Sequence, residues 1–139
     1  MALDQKSVLV VDDESDILHV IKRSLEVQGG FHQVYAFTSP LLALEHFKLN
    51  YNDCALVLSD IRMPGMTGFE FIRRIKQINA TTKVLLMSAF EIDDSELSMA
   101  LGSIMIDDFV QKPVSPRQLT SIIQRHIVSR VGSYYNAST

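Results

Sequence analysis

The stretch Ser7-Val-Leu-Val-Val-Asp-Asp13 joins a short apolar run to two carboxylates. Three later apolar runs also end in a polar residue: Asp60 follows residues 55–59, Ser88 follows 83–87 and Lys112 follows 108–111. Short runs rich in valine and leucine are typical of parallel strands that are buried on both faces. In an open parallel sheet the ligand crevice lies beyond the carboxyl ends of the strands. We therefore expect these five polar residues to converge on one site.

Helical stretches separate the apolar runs. Ser15 is expected to cap a helix that continues to Gln28, and a strand is predicted over residues 32–38. Ser39 and Ser115 each precede a proline, which is typical of a hydroxyl cap followed by the first helical position. Two more helices are predicted at about 68–79 and 93–101. Strand and helix thus alternate five times, which predicts a doubly wound α/β domain.

Apolar stripes on these helices predict the faces that meet the sheet. The predicted buried residues are Ile17, Leu18, Ile21 and Leu25 in the first helix, Leu41, Leu44 and Phe47 in the second, Phe71, Ile72 and Ile75 in the third, and Leu119, Ile122, Ile123 and Ile127 in the last.

Composition is typical of one globular domain, with 139 residues, 47% of them hydrophobic and 21% charged. We assign residues 1–128 to this domain and 129–139 to a short polar tail that forms no separate domain. A net charge of −3 without a basic stripe gives no reason to expect nucleic-acid binding. No stretch approaches the roughly 20 apolar residues of a membrane span, and no signal-peptide layout is present, so we expect a cytoplasmic protein. The only cysteine, Cys54, is expected to be a small buried hydrophobe.

The predicted site has the chemistry of a cation and a phosphoryl group. Asp12, Asp13 and Asp60 would repel one another in a crevice unless a cation neutralised them. A few hard oxygen ligands suit Mg²⁺, and Mn²⁺ accepts the same set. Lys112 offers a point charge to a phosphate oxygen, and Ser88 offers a hydroxyl. Asp60 lies between the two groups and is the best candidate for a nucleophile that forms an acyl phosphate.

Plainer structural interpretations exist for single members of this set. Asp13 or Asp16 is able to cap the first helix, and a serine such as Ser88 is common in turns. Lys112 precedes Pro113, and an X–Pro bond tolerates the cis form at modest cost. Only the whole set, placed on separate strands, favours the chemical interpretation.

Four segments resemble the receiver domain of two-component response regulators. They are Val8-Leu-Val-Val-Asp-Asp-Glu14, Leu58-Ser-Asp-Ile-Arg-Met-Pro-Gly-Met-Thr-Gly68, Leu85-Leu-Met-Ser-Ala89 and Asp108-Phe-Val-Gln-Lys-Pro113. In this order and spacing they are very specific, and the likeness covers about residues 7–128. The resemblance implies a flavodoxin-like (βα)5 fold, a three-layer sandwich with strand order 2-1-3-4-5.

The resemblance also implies a role for each site residue. Asp60 would be the phosphoacceptor, Asp13 a direct Mg²⁺ ligand and Asp12 a ligand largely through water. The backbone carbonyl of Arg62 would complete the metal shell. Ser88 and Lys112 would contact the phosphoryl oxygens.

Three features depart from the family pattern or vary within it. Met105 stands where receivers usually carry glycine, which alters the face formed by the fourth helix, fifth strand and fifth helix. Phe109 holds the position of the family's switch aromatic, coupled to movement of the Ser88 hydroxyl, and it is equally interpretable as a core aromatic. It has no hydroxyl, so any switching must act by packing. Arg62 and Phe90 flank the site beside Pro113, and we expect them to exclude or orient the hydrolytic water and slow the loss of phosphate.

The function implied is a phosphorelay receiver that takes a phosphoryl group on Asp60 from a histidine kinase or a histidine phosphotransfer protein. It would then switch the helix 4/strand 5/helix 5 face towards an unknown downstream protein, as a monomer or a phosphorylation-dependent homodimer. It would catalyse only its own phosphorylation and dephosphorylation and is not expected to act on external substrates.

The alternative is a receiver-like interaction module that works without phosphate. A haloacid-dehalogenase phosphatase is disfavoured because it requires an acid where this chain has Arg62. A flavodoxin is disfavoured because the first strand leads into Asp12-Asp-Glu14, which repels a phosphate.

Overall fold

A computed structural model describes residues 6–31 and 33–137, with the side chains of the last helix described as far as Ile127. The strands are β1 (Ser7–Val11), β2 (Gln33–Phe37), β3 (Cys54–Asp60), β4 (Lys83–Ser88) and β5 (Asp108–Gln111). The helices are α1 (Ser15–Gln28), α2 (Pro40–Asn50), α3 (Gly68–Ile78), α4 (Asp94–Leu101) and α5 (Pro116–Ala137), and a 3-10 turn spans Tyr51–Asp53. The strands form one parallel sheet in the order β2-β1-β3-β4-β5. This confirms the predicted doubly wound fold.

Two apolar layers cover the two faces of the sheet. Val8 and Val10 of β1 belong to the layer that contains α1 and α5, whereas Leu9 and Val11 belong to the layer that contains α2 and α3. All five residues of β1 are buried. A strand with apolar residues at successive positions can satisfy both layers only inside a sheet covered on both sides.

Two of the three predicted serine caps are present as hydrogen bonds. Ser39 Oγ accepts from the Leu42 N–H at 3.3 Å, and Ser115 Oγ accepts from the Gln118 N–H at 3.0 Å. The prediction that Ser15 caps the first helix was wrong. Ser15 is already helical, and Glu14 occupies the cap position without a side-chain hydrogen bond. The Glu14 N–H instead donates to Asp12 Oδ1 at 3.0 Å, which ties this turn to the site.

The predicted buried faces need two corrections. Leu41 is 56% exposed, because α2 turns Ala43, Leu44 and Phe47 towards the sheet. At about 100° per residue, Leu41 lies about 110° around the helix from the centre of that face. Ile17, predicted to be buried, is 36% exposed.

Two further predictions concern the end of the last helix and the start of the second strand. Helix α5 continues to Ala137, so it enters the stretch that the sequence analysis assigned to a polar tail. His32, the predicted start of the second strand, lies outside the described residues. Within the described part of the chain, no helix combines the length and the apolar character that crossing a bilayer requires.

Candidate functional site

The predicted site residues lie at the carboxyl edge of the sheet. Asp60 ends β3 and Ser88 ends β4, while Asp12 and Asp13 directly follow β1 and Lys112 directly follows β5. The strands pair level with one another: Val11 faces Ser59, Asp60 faces Met87 and Ser88 faces Gln111. The structure therefore brings together the residues that the strand pattern singled out.

The three carboxylates form one cluster. Asp12, Asp13 and Asp60 each offer a carboxylate oxygen, and these oxygens all lie within 4.8 Å of one another. Asp12 is fully buried and Asp60 is 7% exposed, whereas Asp13 is exposed. An oxygen-only donor set with one side open to solvent fits Mg²⁺, which keeps several of its waters. The residues present therefore fit the predicted metal.

Lys112 neutralises part of this cluster. Its Nζ lies 2.9 Å from Asp12 Oδ2 and 3.3 Å from Asp60 Oδ1, with Glu14 Oε1 further away at 3.9 Å. Burial acts to lower the pKa of Lys112, but the hydrogen bond and charge of Asp12, together with Asp60, outweigh it, and the pKa lies above its ordinary value. Lys112 is therefore a stable cation at neutral pH, although its side chain is only 12% exposed.

The surroundings of Asp60 destabilise its ionised carboxylate. Burial raises the pKa of its carboxyl above the ordinary value, the charges of Asp12 and Asp13 add to the rise, and Lys112 opposes it. A single lysine thus leaves three clustered carboxylates with excess negative charge. A second cation beside Asp60 would relieve this repulsion.

Gly68 fixes the backbone on which Asp60 stands. Its N–H donates to the Ile61 carbonyl at 2.7 Å, and the Ile61 N–H donates to the Met87 carbonyl at 3.0 Å. A Cβ atom at Gly68 would lie 2.2 Å from the Asp60 carbonyl oxygen and 2.8 Å from Ile61 Cα. Only glycine permits this approach of α3 to the end of β3. The sequence analysis missed the contact, for which the one signal was a glycine directly after the Thr67 cap.

Hydrogen bonds to the Ser88 backbone hold this residue in place, and no acceptor for its hydroxyl proton is found among the described residues. Its carbonyl accepts from the Lys112 N–H at 2.8 Å and from Gln111 Nε2 at 3.0 Å. Its Oγ accepts from the Phe90 N–H at 3.0 Å. Gln111 was not predicted to support the site, since a strand-end glutamine is not distinctive. The Lys112–Pro113 bond is cis, the form that the sequence analysis considered.

The two flanking residues contact each other. The Arg62 guanidinium carbon lies 4.0 Å from the centroid of the Phe90 ring, which is a cation–π contact. Arg62 follows Asp60 by two residues and Phe90 follows Ser88 by two, so the pair joins the loops that leave β3 and β4. Both side chains are exposed, and Phe90 is 54% so.

Phe109 is half-buried and packs against the apolar layer that contains α2 and α3, as the core interpretation expected. It also lines a groove of about 690 Å³ between β5 and α5, together with Arg117 and Arg125. The switching role of Phe109 stays a prediction.

A second groove adjoins the site. It has a volume of about 560 Å³ and lies between α1 and the start of α5. Glu14 and Lys112 stand in its wall next to the site, and most of the remaining wall is apolar: Ile17, Val20, Ile21, Met87, Ala89, Pro113, Val114 and Pro116, with Asp16 on the α1 side.

Comparison with known proteins agrees with this geometry. The family model of the response regulator receiver domain matches residues 8–124. The chain belongs to the response regulator receiver domain family. This confirms the resemblance drawn from the four sequence segments.

Two curated relatives illustrate the relationship. The transcriptional regulatory protein YvrH of Bacillus subtilis is 32% identical over 126 residues, which cover 90% of this chain and 50% of YvrH. The response regulator SaeR of Staphylococcus aureus is 28% identical over 130 residues, which cover 93% of this chain and 53% of SaeR. The chain therefore spans about half the length of these relatives.

Solved structures show the same fold. A response regulator receiver domain protein from Clostridium thermocellum superposes with a TM-score of 0.76 at 31% identity, covering 90% of this chain and 96% of that one. The BeF3-activated receiver domain of DrrB, a protein of Thermotoga maritima, gives a TM-score of 0.69 at 27% identity, covering 87% of this chain and 96% of that one.

Proposed function

We propose that this chain is a phosphorylation switch in which Asp60 accepts a phosphoryl group from the phosphohistidine of a histidine kinase or a histidine phosphotransfer protein. The main observation that supports this proposal is the position of Asp60. Its carboxylate lies 3.3 Å from the Lys112 ammonium and within 4.8 Å of the Asp12 and Asp13 oxygens. A nucleophile that is close to both a cation and a metal-binding pair of carboxylates is equipped for phosphoryl transfer.

In the proposed reaction an Asp60 carboxylate oxygen attacks phosphorus, the P–N bond breaks, and its electron pair leaves with the imidazole nitrogen of the donor. The product is an acyl phosphate on Asp60. Lys112 neutralises charge on the transferred oxygens, and the Ser88 hydroxyl donates a hydrogen bond to one of them. Mg²⁺ or Mn²⁺, held by Asp12, Asp13, Asp60 and the Arg62 carbonyl, would supply further charge neutralisation.

Water later hydrolyses the same acyl phosphate, so the chain acts on itself and is not an enzyme for external metabolites. We place the reaction in the cytoplasm, as the sequence predicts.

The output would be a shift in packing of the face formed by α4, β5 and α5. Phe109 supports this part of the proposal, because it packs against the apolar layer that contains α2 and α3 and also lines the β5–α5 groove. A downstream protein would bind this face, whether the chain acts as a monomer or as a phosphorylation-dependent homodimer.

The donor would dock on the groove between α1 and the start of α5. Lys112, which contacts Asp60, and Glu14 belong to the wall of this groove, so a donor bound there would lie next to Asp60. Its apolar lining and its acidic rim, Glu14 and Asp16, fit a partner helix that carries apolar and basic side chains.

Intact-protein mass spectrometry after incubation with acetyl phosphate tests the proposal. We expect one added phosphate on the wild type with Mg²⁺, and none on Asp60→Ala or in excess chelator. BeF3 offers a second probe, because a related receiver is described as BeF3-activated. Failure of the wild type to take phosphate would overturn the proposal and favour the phosphorylation-independent interaction module.

A further inference from the structure

We infer that Gln111 is a positioning residue that holds Ser88 and Lys112 together for phosphoryl transfer. The inference rests on the proposed function and adds a residue to that site. The side-chain nitrogen of Gln111, Nε2, donates to the Ser88 carbonyl at 3.0 Å and to the Lys112 carbonyl at 3.2 Å. One amide group thus joins the backbones of the two residues proposed to contact the phosphoryl oxygens.

The strand that carries Lys112 lies at the edge of the sheet. Strand β5 has four residues and pairs with β4 on one side only. The end of such a strand opens locally more easily than a strand end between two neighbours. The Lys112 N–H donates to the Ser88 carbonyl at 2.8 Å, and Gln111 gives the same carbonyl a second donor. Gln111 therefore reinforces the level at which Lys112 leaves the sheet towards Asp60.

The chemistry of the contact defines which end of the amide makes it. Both partners are carbonyl oxygens, which only accept, so the Gln111 nitrogen and not its oxygen must face them. Gln111 is exposed and stands in the wall of the β5–α5 groove. Replacing it opens no cavity in the core, and the Ser88 carbonyl keeps the Lys112 N–H as a donor. A substitution is therefore expected to loosen the strand end and to leave the fold intact.

The other end of β5 offers a matched contact away from the site. Asp107 Oδ2 accepts from the Val84 N–H at 2.8 Å, and the Asp107 N–H donates to the Val84 carbonyl at 2.8 Å. Side chains therefore fasten β5 to β4 at both ends, but only Gln111 does so at the carboxyl edge, where Ser88 and Lys112 lie. A change at Asp107 weakens the same pair of strands without touching the site.

The test compares rates of phosphate addition from acetyl phosphate, measured by intact mass well below the Tm of each variant. Gln111→Met keeps the chain length and removes the donor, and it should slow phosphorylation roughly three- to tenfold, the range that one hydrogen bond provides. Asp107→Ala should keep the wild-type rate. Gln111→Met should bind Mg²⁺ with unchanged affinity in an NMR titration, because its three carboxylates are intact. General distortion of the site would weaken Mg²⁺ binding as well.

A second readout tests the contact without phosphorylation. Hydrogen exchange of the Lys112 amide, followed by NMR, should be several times faster in Gln111→Met and unchanged in Asp107→Ala. Asp107→Ala should instead accelerate exchange at Val84. A wild-type phosphorylation rate in Gln111→Met, unchanged exchange at its Lys112, or equal slowing of phosphorylation by the two variants would overturn the inference and leave the proposed function standing. A wild type that takes no phosphate would overturn both.

Discussion

Replacement of Gly68 by alanine tests the closest backbone contact of the site. The added Cβ would lie 2.2 Å from the Asp60 carbonyl oxygen, about 0.8 Å inside the 3.0 Å that real Cβ atoms respect. The Ile61 Cα, at 2.8 Å, is a second obstacle. Both obstacles are backbone atoms of the β3 end, so they cannot move aside as a flexible side chain would. Helix α3 must therefore shift away from Asp60.

The cost can be worked from these contacts. Overpacking costs about 1–3 kcal/mol, and rigid backbone neighbours place Gly68→Ala at the upper end. Alanine recovers about 0.5 kcal/mol by reducing the entropy of the unfolded chain. The expected loss in the free energy of unfolding is about 2.5 kcal/mol, which lowers Tm by about 10 °C in a domain of this size. Because Asp60 moves with the contact, phosphate capture from acetyl phosphate should fall even at temperatures where the variant is folded.

Gly65→Ala is the matched control in the same loop. Gly65 has a φ of +86°, but no atom lies within 4 Å of its added Cβ. Alanine there suffers backbone strain of about 1 kcal/mol and no clash. Thermal unfolding by circular dichroism and mass-based phosphorylation should both separate the two variants. Equal behaviour of Gly68→Ala and Gly65→Ala would refute the steric argument, as would a Gly68→Ala protein with wild-type Tm and phosphorylation.

Three further predictions concern the metal, the thiol and the donor groove. Mg²⁺ should raise Tm by several degrees, because binding at a hundredfold excess over Kd stabilises the folded state by about 2.7 kcal/mol. Asp13→Asn should abolish this shift in Tm, and Asp94→Asn should keep it. A shift that survives Asp13→Asn would contradict the assigned ligand set. Burial raises the pKa of Cys54 to about 11, so its thiolate fraction at pH 8 should be about a hundredfold below that of an exposed thiol. Alkylation by iodoacetamide should then accelerate about tenfold per pH unit up to about pH 11, and fast labelling of the native protein at pH 8 would be inconsistent with that burial. Val20→Asp, in the groove between α1 and α5, should slow phosphotransfer from an autophosphorylated histidine kinase core and leave phosphorylation by phosphoramidate unchanged. If the variant changed the rates of phosphorylation by both donors equally, docking in this groove would be contradicted.

The sequence alone was sufficient to predict the site residues that lie at strand ends. Asp12, Asp60, Ser88 and Lys112 each close an apolar run, and a parallel sheet forces such residues to one edge. The same local logic located the strands and helices to within a few residues, except for the end of α5, which continues to Ala137. Arg62 and Phe90 were named as neighbours of the site through the family resemblance, not through the strand pattern.

Contacts between elements that are distant in the chain could not be predicted from the local sequence pattern. The approach of Gly68 to Asp60 depends on how α3 packs after an irregular loop, which no periodicity encodes. The stack of Arg62 on Phe90 joins two loops whose side-chain directions only the folded backbone defines. The prediction that Leu41 is buried was wrong because α2 carries apolar residues on nearly every side. Its sequence pattern therefore does not reveal which face meets the sheet.

The pairing of Lys112 with Asp12 has a consequence for the order in which the protein matures. The two residues are 100 positions apart, and β5 is separated from β1 by β3 and β4. During synthesis on the ribosome, the acidic residues emerge long before their lysine. A nascent chain that has completed β4 therefore holds its carboxylates without their internal counterion. Under the proposed function, we expect such a chain to gain the ability to take phosphate on Asp60 only after β5 has docked and Lys112 has reached the site.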